Sequence, residues 1–217
     1  MTISQAHVGK TQPGRLEDAI SLAREGAKLV GRHGGQVRFL TPAFAGEATG
    51  TTVFSVEYTD EAELGRAMQE MSTDPELQEF TTRVMGPNAP TVMISDSLVA
   101  DIPSGYKSKG GHGALIESHL SRPLPGSMEA ALALCAKVCR FVEANGAVNA
   151  RTFQILVGGA MTGLWGISWE VGDWVDYAQL ATAWVKDPLG VEIQTQSMSS
   201  DNPSVYVSGG IYQDIPL

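Results

Sequence analysis

The sequence predicts an α+β protein: two βαββαβ units, each with a four-stranded antiparallel sheet, packed sheet to sheet with their helices outside. Three observations predict it: an internal repeat, the same order of strand and helix periodicities in both copies, and a glycine-rich stretch between them. A shift of 112 residues lays His7 on His119, Pro13-Gly14 on Pro125-Gly126 and Gly34 on Gly146. After one inserted residue the shift is 113, and Gly50 meets Gly163, Ser55 meets Ser168, and Glu57 meets Glu170. Asp60 then meets Asp173, Asp74-Pro75 meets Asp187-Pro188, and Asp101-Ile102-Pro103 meets Asp214-Ile215-Pro216.

The first copy opens with alternation from Ile3 to Val8, a strand. Leu16, Ile20, Ala23, Ala27 and Val30 follow at helical spacing until Gly34-Gly35 stops the helix. Gln36 to Thr41 and Thr51 to Tyr58 read as two strands around a Pro/Gly turn. Asp60 is the N-cap of a helix from Glu61 to Met71, Asp74-Pro75 starts a further turn or helix, and Val92 to Leu98 is the closing strand. The second copy repeats this as 114–120, 128–144, 149–157, 164–171, 174–185 and 204–212. The order βαββαβ is the ferredoxin-like split unit, whose helices cover one sheet face. The second copy covers the other face, giving an intramolecular α+β barrel with repeats at 1–103 and 114–217.

Ser104 to Gly113 has little to bury and reads as a flexible linker. It is no phosphate loop, because His112 follows Gly111 where a Lys-Ser/Thr pair is required. A formal net charge of −9 disfavours nucleic acid and anionic membrane surfaces as partners. No run approaches the ~18 apolar residues of a spanning helix, and Met1 to Lys10 lacks the pattern of a secretion signal, so a cytoplasmic protein is expected. Cys135 and Cys139, four apart on a helix, suit reduced core packing; a two-Cys metal site needs further ligands.

The stretch Val53 to Leu64, Val-Phe-Ser-Val-Glu-Tyr-Thr-Asp-Glu-Ala-Glu-Leu, with the Pro-Gly-initiated helix before it, resembles the dimeric α+β barrel superfamily, including its antibiotic-biosynthesis monooxygenase-like members. The likeness spans both copies and implies a single-chain version of a barrel that the superfamily builds from two subunits around a central cavity. Two departures matter. Monooxygenase-like members often carry a His on the helix after the acidic strand end, where this chain has Ala67 and Met68, or Leu180 and Ala181. Haem-degrading members use an Asn, Trp and His set; the Asn position holds His7 or His119 and the others have no match, so neither haem nor any other cofactor is expected.

Strand alternation puts Gln5 and His7 on one face, and Glu117 and His119 on the equivalent face of the second copy. That face, being polar, is expected to look into the barrel. There His7 or His119 acts as a base, with Glu117 as a second base or ligand anchor, or else the histidines only satisfy hydrogen bonds in the sheet. Arg38 and Arg151 either hold a ligand carboxylate or enolate, or pair with Glu57 and Glu170 on the next strand. Trp165 and Trp169 replace Thr52 and Val56 in the second copy and, with Tyr206, either wall an aromatic pocket there or pack as core. A metal site lacks enough ligands.

Two functions follow. One is a small-molecule enzyme, a cofactor-independent monooxygenase or isomerase on an aromatic or polyketide-like substrate. The other is a non-catalytic binding or assembly protein for a small hydrophobic or aromatic molecule. Outer surfaces are left for homo-oligomer formation.

Overall fold

The computed structural model describes all 217 residues. The first copy runs β1 (Ile3–Thr11), α1 (Leu16–Gly31), β2 (Gln36–Phe44), β3 (Thr51–Tyr58), α2 (Glu61–Thr73), α3 (Pro75–Val84) and β4 (Thr91–Asp101). The second runs β5 (Leu115–Pro123), α4 (Met128–Ala144), β6 (Val148–Val157), β7 (Trp165–Val171), α5 (Trp174–Lys186), α6 (Pro188–Met198) and β8 (Ser204–Ile215). The repeated aspartates explain why helices begin where they do. Asp60 accepts from the Glu63 amide at 2.8 Å, and Asp173 from the Val175 and Asp176 amides at 2.7 and 2.9 Å. Asp74 and Asp187 each end one helix and cap the next, with proline in the first turn. No helix is long and apolar enough to cross a membrane.

The eight antiparallel strands close in the order β1-β3-β2-β8-β5-β7-β6-β4. Each copy therefore contributes a sheet of order 4-1-3-2, and the sheets are hydrogen-bonded along both edges as well as facing each other. β2 meets β8 with Leu40 opposite Asp214, and β4 meets β6 with Ala100 opposite Gln154. Closure removes most free strand edges.

Helix-side cores fix the phase of every strand, and that phase corrects one expectation. Ile3 packs with Val30, Val56, Tyr58 and Ala67, and Leu115 with Cys139, Phe141, Val142 and Leu180. Because alternation is strict, Gln5, His7, Glu117 and His119 also face the helices, not the barrel interior. Arg38, Glu57, Arg151 and Glu170 take the opposite, interior face. The reading by polarity failed because the polar groups of this face find partners on the helix side, His7 in Asp96 and His119 in Glu117.

The segment 104–113 has neither helix nor strand, and hydrogen bonds attach it to α4. Glu143 of α4, only 3% exposed, accepts hydrogen bonds from Tyr106 Oη at 2.6 Å, Ser108 Oγ at 2.5 Å, and the Lys109 and Ala150 amides at 3.0 and 2.9 Å. A buried carboxylate needs such donors, and the linker supplies three of them.

Candidate functional site

A cavity of about 540 Å³ lies in the first copy, between the outer face of β1, β3 and β4 and helices α1, α2 and α3. Fourteen of its 22 lining residues are hydrophobic, and Asp96 is the only acidic or strongly basic side chain among them. Gln5 and His7 of β1 line it. His7 Nδ1 is 2.6 Å from Asp96 Oδ1 on β4, where the two residues are register partners. A carboxylate only accepts, so Nδ1 donates, and the neutral ring keeps its lone pair on Nε2 for a ligand. The His7 side chain is 33% exposed, so the pair is reachable from solvent. Gln5 Nε2 meets only the Met68 sulfur, at 3.3 Å, a weak acceptor.

The second copy fills the equivalent space. Val56 becomes Trp169, Met71 becomes Trp184 and Leu29 becomes Phe141. Their rings stack in series, Phe141 to Trp184 at 4.4 Å and Trp184 to Trp169 at 6.3 Å between centroids. Trp169 and Trp165 are buried. The tryptophans thus pack as core, and the expected aromatic pocket around them is displaced: the large cavity lies in the half with Thr52 and Val56. The size difference at these positions decides it, since an indole occupies the volume that valine leaves open.

The histidine of the second copy is wired differently. His119 Nε2 is 2.9 Å from Glu117, and its ring lies against Trp169 at 5.2 Å and Tyr206 at 6.1 Å. The position of Asp96 is occupied by Gly209, the register partner of His119. A Cβ there would stand 2.6 Å from His119 Nδ1 and 2.7 Å from Tyr206 Oη, so the two side chains use the room that glycine leaves. The carboxylate has moved from the fourth strand to the first, as Gln5 became Glu117.

Arg38 and Arg151 reach into the barrel but pair across the repeat, not with the next strand. Arg38 binds Glu170 through two hydrogen bonds, 2.5 and 3.0 Å, and Asp214 at 2.8 Å. Arg151 binds Glu57 at 2.6 Å. Each arginine thereby holds carboxylates of the other copy. Glu170 also accepts from Asn149 Nδ2 at 2.7 Å and the Gly113 amide at 2.8 Å. Burial raises its carboxyl, but these donors outweigh it and hold it below the usual carboxylate range. A small polar cleft of about 220 Å³ beside Arg38 is lined also by Glu57, His112, Asn149 and Asp214.

Burial pushes the Cys139 thiol up to about 12 and Cys135 to about 11, so both stay protonated and serve as core. No group of three or more His, Cys, Asp or Glu side chains is placed to hold a metal ion.

No family model matches the chain, and no curated protein matches it. Solved structures do. A "putative monooxygenase" from Lactobacillus acidophilus superposes with a TM-score of 0.63 at 8% identity, over 99% of this chain and 93% of that one. An anthrone oxidase-like protein gives 0.58 at 11% identity, over 99% and 92%. A chlorite dismutase from Candidatus Nitrospira defluvii gives 0.55 at 8%, over 99% and 91%. The chain has the dimeric α+β barrel fold. At these identities the likeness concerns architecture, and in this α+β barrel both halves come from one chain.

Asp96 is the site residue that sequence reasoning missed. The signal was present: in the repeat alignment Asp96 falls on Gly209, a charge lost directly opposite the histidine. Met68 and Met71 of α2 and Met85, which ends α3, also line the cavity.

Proposed function

We propose that the chain is a small-molecule enzyme whose site is the first-copy cavity, with His7 as the base and Asp96 as the residue that fixes its tautomer. The carrying observation is the 2.6 Å His7–Asp96 contact at the wall of a largely apolar cavity of about 540 Å³. Such a volume suits a drug-sized polycyclic ligand. The lining offers no cation to a carboxylate or phosphate, whereas Nε2 offers an acceptor to an acidic O–H or C–H. The reaction class is proton abstraction from an activated aromatic or polyketide-like compound. Return of the proton to another atom gives isomerisation; addition of dioxygen to the carbanion and return of the proton give a hydroperoxide, which loses water to leave a carbonyl, a cofactor-independent oxygenation. Neighbours named for monooxygenase and anthrone oxidase activity support the second outcome.

The test uses 1,8-dihydroxyanthrone as probe, following its binding by fluorescence quenching and its oxidation by absorbance. His7→Gln is expected to lower the rate by about 10²- to 10⁴-fold, the range for loss of a general base. Asp96→Asn lowers it less, and His119→Gln leaves it unchanged. Turnover that survives His7→Gln would reject the assignment. Binding without turnover would favour the alternative, a carrier of hydrophobic metabolites, which the weakly paired Gln5 amide and the adaptable methionine lining would also serve.

A further inference from the structure

The roof of the first-copy cavity is the pair α2–α3, which contributes Met68, Met71 and Ser72 from one helix and Leu77, Phe80 and Val84 from the other. These helices are lightly anchored. α2 buries only Ala67 and α3 buries no residue, while in the second copy α5 buries Leu180 and α6 buries Gly190 and Ile193. Between them Asp74 is the joint: its extended backbone ends α2, and its carboxylate accepts from the Glu76 and Leu77 amides at 2.9 and 3.3 Å to start α3.

Besides the apolar contacts of Leu64, Met71 and Leu77 with the core that holds Val30, this roof is tied to α1 by charge. His33, just beyond the end of α1, places Nδ1 3.1 Å from Glu70 of α2 and Nε2 3.1 Å from Asp74 at the joint. Arg32 binds Glu76 at 2.8 Å, and Arg83 of α3 binds Glu25 of α1. Carboxylates only accept, so both His33 contacts are hydrogen bonds together only in the imidazolium form; a neutral ring donates from one nitrogen and sets a lone pair against the other carboxylate. The repeat shows where this device is used. In the second copy, His33 corresponds to Asn145, which turns back to the Phe141 carbonyl at 2.9 Å, and Glu70 corresponds to Ala183. The second copy ties α4 to α6 through Lys137 and Glu192, but the histidine bracket exists only in the half with a cavity to cover.

We propose that His33 is a pH-sensitive latch on the α2–α3 roof, closed when its imidazolium bridges Glu70 and Asp74 and loosened when the ring is neutral, so that ligand exchange with the cavity quickens as pH rises. This regulation rests on the reading of the cavity as the site. The charged groups facing His33 are Glu70 from α2 and Asp74 at the joint, with the Arg32–Glu76 pair beside them. Glu63, whose Oε1 comes within 2.9 Å of a Cβ built on Gly34, is occupied by Thr59. The hydrogen bonds to Glu70 and then to Asp74 raise the His33 pKa above its ordinary value, against a smaller effect of burial. A raised folded-state value means that the contribution is full below the unfolded pKa, near 6.5, and is lost as pH rises through the folded one.

The experiment compares wild type, His33→Gln and Glu70→Gln by amide hydrogen exchange over residues 61–84, each pair at the same pH. At pH 6 both variants are expected to exchange about fivefold faster there than wild type, and at pH 9 all three coincide. Stopped-flow uptake of N-phenyl-1-naphthylamine, a neutral fluorescent probe, should quicken about fivefold in wild type between pH 6 and 9 and be fast at both in His33→Gln. Equal exchange of wild type and both variants at pH 6, or a difference that persists at pH 9, overturns the latch. The exchange arm needs no ligand. If it succeeds while Met71→Trp fails to block the probe, the latch stands and the cavity reading falls.

Discussion

Arg38 and Glu170, 132 residues apart in the chain, meet inside the barrel through two parallel hydrogen bonds of 2.5 and 3.0 Å. They stand on β2 and β7, with β8 and β5 between them, so the pair spans the junction of the copies. Glu170 is 3% exposed, and loss of one partner strands a buried charge. Arg38→Ala is expected to cost about 3 to 5 kcal/mol in urea unfolding. Arg151→Ala, whose partner Glu57 is half-exposed, should cost clearly less. Equal losses would mean that the two crossings are energetically alike.

Acid should act through the same carboxylate. Because its folded pKa is depressed, Glu170 contributes stability that is present above its unfolded value, about 4.3, and lost as pH falls through the folded one. Urea midpoints of wild type should therefore drop below about pH 4.5, and Glu170→Gln should flatten that fall at the expense of stability at pH 7. A variant with an unchanged acid limb would remove Glu170 from the explanation.

Exchange of cavity residues for their counterparts tests the unequal halves. Met71→Trp, which copies Trp184, should abolish binding of a neutral aromatic probe while changing stability by no more than about 1.5 kcal/mol, because there is empty volume to receive the ring. Trp169→Ala should do the reverse, costing about 3 to 5 kcal/mol through the cavity it opens. Should Trp169→Ala leave stability unchanged and weaken probe binding, the pocket would belong to the second copy after all.

Glu143 makes a prediction about the linker. Glu143→Gln replaces an acceptor-only group by one that brings two donors into a site already full of them. Segment 104–113 should then be cut by a broad-specificity protease well before the barrel unfolds, whereas wild type resists. Identical cleavage rates would show that Glu143 does not hold the segment.

Much of the architecture was legible in the sequence because local chemistry specifies it. Pro13-Gly14, Asp60 and Asp74-Pro75 recur with their counterparts, and each signals a turn or cap that needs no knowledge of distant residues. β3 and α4 run over the residues that periodicity assigns, and the repeat itself implied two like sheets closing on one another. What the sequence could not supply was the phase of the strands. Alternation says that Gln5 and His7 share a face but not which face, because inside and outside exist only once a sheet has something on both sides.

Tertiary structure decided that phase, and with it the site. Four charged residues, Arg38, Glu57, Arg151 and Glu170, form their ion pairs across the closed barrel, so the face opposite them, with both histidines, turns to the helices. Asp96 became His7's partner through the register of β1 against β4, a pairing of residues 89 apart. Sequence by itself determined that the two halves are built alike and where they differ, at Val56 against Trp169 and Asp96 against Gly209. Only three-dimensional packing decided what those differences mean, since the same tryptophan either walls a cavity or fills one according to the volume its neighbours leave.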